Sequence, residues 1–232
     1  MLKDLFRYVD FQINLPKAEV GLSSAHLDLG CGSKPRNPFD SEILFGTDFS
    51  GFGSRLEGDI QFVSADLTKP LPFAADSFSS ISAYDVLEHI PRWERLPDGS
   101  IVFPFVDLMQ EIYRVLKPNG IFYAVTPGYP SKAAFQDPTH INFITRETLA
   151  YFSGDSAHAD NLGYGFDGKF NVLHNSWLKG GGPFAQKRII LGDRKTKWFS
   201  KDSARLIRRT YKLIRNRNPE HILWVIQKIT QG

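Results

Sequence analysis

The chain has 232 residues, 42% of them apolar and 23% charged, with a formal net charge of +3. That length and apolar content support a well-buried core and argue against a disordered or collagenous chain, and so small a net charge does not by itself imply nucleic acid. The lone cysteine, Cys31, excludes a disulfide framework or a four-cysteine zinc site and suits a reducing cytoplasm, the expected compartment.

The first ten residues, Met1 to Asp10, alternate charged and apolar residues, with neither a secretory apolar core nor a membrane span, so a soluble protein is expected. Ala25-His26-Leu27-Asp28-Leu29 then reads as a buried strand breaking into Gly30-Cys31-Gly32-Ser33. Glycine at both positions lets the backbone take positive φ or approach a ligand that side chains would keep away. A second strand, Glu42 to Thr47, ends in Asp48, about 20 residues after Asp28, where nucleotide-binding sheets place a ribose-binding carboxylate. The position two beyond Gly32 is Lys34, followed by Pro35, instead of a third glycine. The ligand is therefore expected to lack a pyrophosphate.

A third strand, Ile60 to Ala65, leads into Asp66-Leu67, and a fourth, Ser79 to Ala83, leads into Tyr84-Asp85-Val86-Leu87-Glu88-His89-Ile90. Polar residues therefore follow four strands, and the intervening alternation of strand and helix signals predicts a mostly parallel sheet. Pro91 to Ser100 reads either as a lid or as an ordinary loop at the ligand crevice. Phe105, Leu108, Met109, Ile112, Tyr113 and Leu116 form one helical stripe, which Lys117-Pro118-Asn119-Gly120 stops before a fifth strand, Ile121 to Val125. The irregular stretch from Pro127 to Thr145 is the expected substrate region. Phe170 to Trp177 and His221 to Ile229 read as the last strands.

The ordered set Leu27-Asp28-Leu29-Gly30-Cys31-Gly32, Thr47-Asp48, Asp66-Leu67, Leu71 to Phe78, Val86 to Ile90 and Val115 to Gly120 resembles class I S-adenosylmethionine-dependent methyltransferases, in particular the type 11 subgroup. The resemblance runs from about Ala25 to Thr126. It implies an α/β, Rossmann-like fold: a mostly parallel seven-stranded sheet with an antiparallel last strand and helices on both faces. It implies S-adenosylmethionine as cofactor, with Gly30 and Gly32 at its methionine part, Asp48 on the ribose, and Asp66 and the Leu67 backbone at the adenine. Asp28, Cys31, Phe49 and Tyr84 complete the expected cofactor set. We read residues 1–232 as one domain, with 22–128 the cofactor-binding core and 129–232 the substrate-side loop, last strands and a basic helical insertion.

Methyl transfer from a sulfonium requires alignment of the acceptor and, for an alcohol, removal of its proton. His140 is the candidate base, with Asp137 beside it to orient it; alternatively Asp137-Pro138 is a turn and His140 a structural hydrogen-bonder. The run from Asp137 to Phe143 is similar to bacterial methyltransferases associated with surface polysaccharides. Asp85, Glu88 and His89, at i, i+3 and i+4, share one face if a helix starts there, and with His140 could hold Mg²⁺ or Mn²⁺ and activate an alcohol. This spacing is similar to that of metal-dependent O-methyltransferases of ubiquinone and plant small-RNA pathways. The competing reading makes Asp85 a helix N-cap and Glu88 its capping-box partner. Glu88 and His89 join His140 as catalytic candidates, and Trp93, Tyr129, Phe135 and Asp137 as substrate candidates; His26, His158, His174 and His221 receive no role.

These observations favour an O-methyltransferase acting on a sugar hydroxyl of a bacterial glycan or its precursor. The alternatives are a catechol or polyketide-like small molecule, or a cofactor-binding docking module without turnover. Ala83-Tyr84-Asp85-Val86 stands where DNA amino-methyltransferases resembling this fold carry an Asn/Asp-Pro-Pro-aromatic run, which disfavours nucleic acid. Lys201, Arg205, Arg208, Arg209, Lys212, Arg215 and Arg217 crowd a helix-like segment over residues 201–217, read either as a solvated face or as a surface for an anionic partner.

Overall fold

The computed structural model describes residues 24–49, 60–154, 158–178 and 219–229. The basic segment 201–217 and the N-terminal stretch lie outside the described residues.

Seven strands form one sheet: β1 (Ala25–Leu29), β2 (Ile43–Asp48), β3 (Ile60–Ser64), β4 (Phe78–Tyr84), β7 (Leu116–Pro127), β8 (Phe170–Trp177) and β9 (His221–Lys228). Their order is β3-β2-β1-β4-β7-β9-β8. The pairs β2–β3, β1–β2, β1–β4 and β4–β7 are parallel, whereas β9 runs antiparallel to both β7 and β8. Successive strands are added to one side of β1 up to β3 and to the other side from β4 onward, so the crevice above the C-terminal ends of β1 and β4 is the expected ligand position.

Alternation along β7 explains how one strand serves two layers. Phe122 and Ala124 join a core with Leu27, Leu29, Ile81 and Trp224, while Ile121, Tyr123 and Val125 pack on the opposite face with Leu223 and Val225. The helical stripe is observed as α1 (Pro104–Val115), where Pro104 opens the first turn and Phe105, Leu108, Met109 and Ile112 are buried against the first of these cores. Fully burying four such side chains contributes on the order of 6–12 kcal/mol before the entropy of ordering them is subtracted. Asn119, with φ +62°, makes the turn between Leu116 and the main run of β7, so the expected stop lies within a strand that starts earlier than its apolar run suggests.

Two local expectations change. No helix begins at Asp85. A single 3-10 turn spans Leu87–His89, its N-cap is Val86, and no side chain caps it, so the capping-box reading of Asp85 and Glu88 does not hold. The segment after β4 contains a two-stranded antiparallel hairpin, β5 (Glu94–Arg95) with β6 (Ile101–Val102). Among the described residues no helix is long and apolar enough to cross a membrane.

Candidate active site

The turn after β1 uses its two glycines differently. Both adopt left-handed backbone, φ +59° at Gly30 and +56° at Gly32, which L side chains rarely tolerate. A Cβ on Gly30 would lie 2.3 Å from Val86 Cγ2, so glycine there lets the β1 turn close against the segment following β4. A Cβ on Gly32 would meet nothing within 4 Å, so this backbone faces open space. The Gly32 amide donates to Asp48 Oδ2 at 2.8 Å, and the Phe49 amide to Oδ1 at 2.7 Å. Asp48 thus ties the ends of β1 and β2 together, with Phe49 exposed beside it. After β3, Asp66 Oδ1 accepts from the Thr68 amide and hydroxyl at 2.9 and 2.7 Å. These bonds hold its carboxyl below the usual range. Leu67 is buried next to it.

Three residues expected to contact the cofactor are buried within the protein. Asp28 is fully buried, with Oδ1 2.6 Å from the Ser82 hydroxyl and Oδ2 accepting from the Arg36 amide at 2.8 Å. It shapes the glycine turn from beneath, and burial pushes its carboxyl up to about 7. The network continues through Ser82 to His26, whose ring nitrogens lie 2.8 Å from Ser80 Oγ and 2.9 Å from Ser82 Oγ. Burial lowers His26 to about 3, so its imidazole is neutral. Cys31 points inward: its sulfur would lie 2.8 Å from a Cβ at Gly46, and burial pushes the thiol up to about 12. The ring of Tyr84 is buried between Tyr123, at 5.5 Å between centroids, and the Arg36 guanidinium, 4.3 Å above it.

The strand-end crevice also gathers acids and imidazoles. Glu88 is 1% exposed; its Oε2 accepts from the Thr126 hydroxyl at 2.9 Å, and its Oε1, which has no hydrogen-bond partner among the described residues, lies 3.9 Å from His140 Nε2. Burial pushes this carboxyl up to about 8. Two further bonds fix the approach of the post-β7 loop: the Ile141 and Asn142 amides donate to the Glu88 carbonyl at 3.0 and 2.9 Å. His140 stands edge-on to His89 at 4.9 Å, and its Nδ1 lies 3.3 Å from the Ala134 carbonyl. One ligand atom from each of Glu88, His89 and His140 fits within 4.8 Å of the others.

Asp137 does not orient His140 as expected. Its Oδ1 accepts from the Thr139 amide and hydroxyl, and that hydroxyl lies 3.0 Å from His89 Nδ1, so Asp137 orients His89 through Thr139. The expected metal set also loses a member: Asp85 stands outside the Glu88–His89–His140 group, with Oδ1 3.3 Å from His221 Nε2. Sequence reasoning missed His221 and Thr139. His221 lies in a strand remote from every motif, but the Asp137-x-Thr139 spacing of a side-chain turn was a usable signal for Thr139.

Tyr129, Phe135 and Phe143 form an exposed aromatic row beside this group. Centroids are 6.0 Å apart for the first pair and 4.8 Å for the stacked second pair. Trp93 is 62% exposed, at the base of the β5–β6 hairpin.

The strand order, the antiparallel last pair and the glycine turn at the end of β1 define a Rossmann-like methyltransferase fold. Residues 27–124 match a family model described as a methyltransferase domain. A search of curated proteins finds no match. Among solved structures, the chain is similar to one in the complex between the Haloferax volcanii Trm112 methyltransferase activator and a proposed methyltransferase. Identity is 17%, coverage 92% of this chain and 86% of that one, and the TM-score 0.52. It is also similar to the [4+2]-cyclase SpnF, at 16% identity, 91% and 77% coverage and a TM-score of 0.52. A third relative is an S-adenosylmethionine-dependent methyltransferase from Archaeoglobus fulgidus, at 17% identity, 89% and 86% coverage and a TM-score of 0.47. At such identities structural likeness speaks to fold alone, so function is argued from the site. The domain match covers residues 27–124, less than half of the chain.

Proposed function

We propose that the protein is an S-adenosylmethionine-dependent O-methyltransferase whose acceptor is a sugar hydroxyl of a bacterial glycan or its precursor. The observation that carries this reading is the Glu88–His89–His140 group, placed at the strand-end crevice beside the exposed Tyr129, Phe135 and Phe143 rings. Aromatic faces stack on the apolar side of a pyranose, and clustered polar groups hold its hydroxyls. The bound cofactor supplies an already activated methyl group. The residues of this chain therefore have to hold the acceptor oxygen in line and take its proton.

In this reading Gly32 and Asp48 bind the cofactor's methionine and ribose parts, Asp66 and Leu67 its adenine, and Phe49 covers it. His140, backed by Glu88, and His89, held by Thr139, contact the acceptor oxygen. A second form of the same reading places a divalent cation there. The buried, unpartnered Glu88 Oε1 facing an imidazole suits a site with mixed oxygen and nitrogen donors, and Mg²⁺ or Mn²⁺ would lower the alcohol's pKa. Glu88, His89 and His140 would hold it, without Asp85.

The test is transfer of tritiated methyl from S-adenosylmethionine to a panel of methyl hexosides and deoxyhexosides, with catechol as the small-molecule comparison. Labelled glycoside with unlabelled catechol supports the sugar assignment, and the converse favours a small aromatic acceptor. Cofactor binding with no labelled product would leave a docking module; the SpnF likeness is a reminder that this architecture also carries a protein described as a cyclase.

A further inference from the structure

His221 belongs to no motif, yet the sheet carries it into the crevice. It is the first residue of β9 and, because β9 runs antiparallel, it lies opposite Pro127 at the C-terminal end of β7. The preceding residue fastens this end to the substrate-side loop: the Glu220 carbonyl accepts from the Gly128 amide at 2.9 Å and the Ser131 hydroxyl at 2.8 Å. Across from it, Asp85 follows β4 directly and precedes Val86, the residue on which Gly30 closes. The pair therefore sits at the C-terminal ends of β4 and β7, next to the segment on which the β1 turn closes.

Asp85 adopts φ +53°, a left-handed conformation that costs a non-glycine residue about 1 kcal/mol or more and recurs at functional sites. That backbone places its buried Oδ1, which makes no hydrogen bond among the described residues, 3.3 Å from His221 Nε2, within ion-pair range. The two side chains remain 27% and 13% exposed, so a bound molecule can reach them. With Nε2 turned toward the Asp85 carboxylate, the tautomer that carries its proton on Nε2 leaves His221 Nδ1 as a lone-pair acceptor. His140 differs, because both of its ring nitrogens face protein atoms.

We propose that His221, oriented by Asp85, is the general base of the transfer, while Glu88, His89 and His140 hold the acceptor oxygen; the proposal rests on the methyl-transfer reading above. In the step, the acceptor oxygen forms its bond to the methyl carbon as the carbon–sulfur bond breaks. The bonding pair remains on sulfur, which becomes a neutral thioether. The hydroxyl proton passes to His221 Nδ1, and Asp85 stabilises the imidazolium. A carboxylate behind an imidazole holds the productive tautomer and offsets the charge it acquires.

The experiment uses the full chain, tritiated-methyl S-adenosylmethionine and the glycoside and catechol panel. His221→Ala is expected to lower kcat about 10²-fold or more, with calorimetric affinity for S-adenosylhomocysteine changed less than about twofold. Added imidazole should restore part of the lost rate, an effect that a merely structural role would not produce. Asp85→Asn keeps an acceptor for Nε2–H but loses the charge, and it should lower kcat by about tenfold or more. A His221→Gln variant, checked by its melting temperature, covers the case in which alanine unsettles the β9 start. Wild-type rates in both folded His221 variants, or a rate loss that imidazole does not relieve, would overturn the proposal alone. A wild-type protein that binds S-adenosylhomocysteine but labels no acceptor overturns the transfer reading and this proposal together.

Discussion

Replacing Asp28 with Asn tests the assignment of that carboxylate to the turn's foundation. Burial pushes its carboxyl from the ordinary 3.8 up to about 7, a difference worth about 4 kcal/mol at 1.36 kcal/mol for each tenfold change. Between those values the folded state binds more protons than the unfolded state, so this group makes stability fall as pH rises from about 4 to about 7. Asn does not titrate. Its Oδ1 still accepts from Ser82, but its amide cannot accept from the Arg36 N–H, a loss of about 1–3 kcal/mol. At about pH 5, Asp28→Asn should therefore be the less stable protein. By about pH 8.5 the gap should shrink by about 2.7 kcal/mol, the part of that difference lying between pH 5 and about 7, and close or reverse. His26 titrates in both proteins, so its opposite pH dependence largely cancels in the comparison. Urea denaturation at about pH 5, 7 and 8.5, with matched m-values, measures the gap. A pH-independent difference would refute the reasoning.

Asp48→Ala should weaken S-adenosylhomocysteine binding by about 1.5–3 kcal/mol in calorimetry, since it removes the acceptor of the Gly32 amide and the proposed ribose contacts. His140→Ala should lower turnover about 10²-fold or more with cofactor affinity nearly unchanged, as measured by initial rates and calorimetry. Exhaustive EDTA treatment should abolish transfer and added Mn²⁺ or Mg²⁺ restore it if the Glu88–His89–His140 group works through a cation; full activity in EDTA leaves these side chains to act directly. The triple change Arg208→Glu, Arg209→Glu and Lys212→Glu should leave the melting temperature and cofactor affinity nearly intact while weakening capture of a large anionic acceptor. That defect should shrink as salt rises.

The sheet was legible because its signals are local. Short apolar runs ending in Asp48, Asp66 and Tyr84-Asp85, and a helix stripe from Phe105 to Ile112, need only neighbouring residues to be read, and each appears where its pattern places it. The glycines of the β1 turn were equally plain, since positive φ at Gly30 and Gly32 is a property of the backbone there. Local pattern misled at Asp85, where capping-box and shared-face spacing both presuppose a helix; a single 3-10 turn formed instead, leaving Asp85 free to face another strand. Whether a strand-end polar group meets the ligand or the protein was also undecidable locally. Asp28 and Asp48 look alike in sequence, but the neighbouring strand supplies Ser82 to bury one and the open turn leaves the other at the crevice. The pairings Glu88 with His140 and Asp85 with His221 were decided only by tertiary structure. They join chain segments brought together by the parallel crossover of β7 and the antiparallel return of β9, and no spacing along the chain encodes a distance set by strand order.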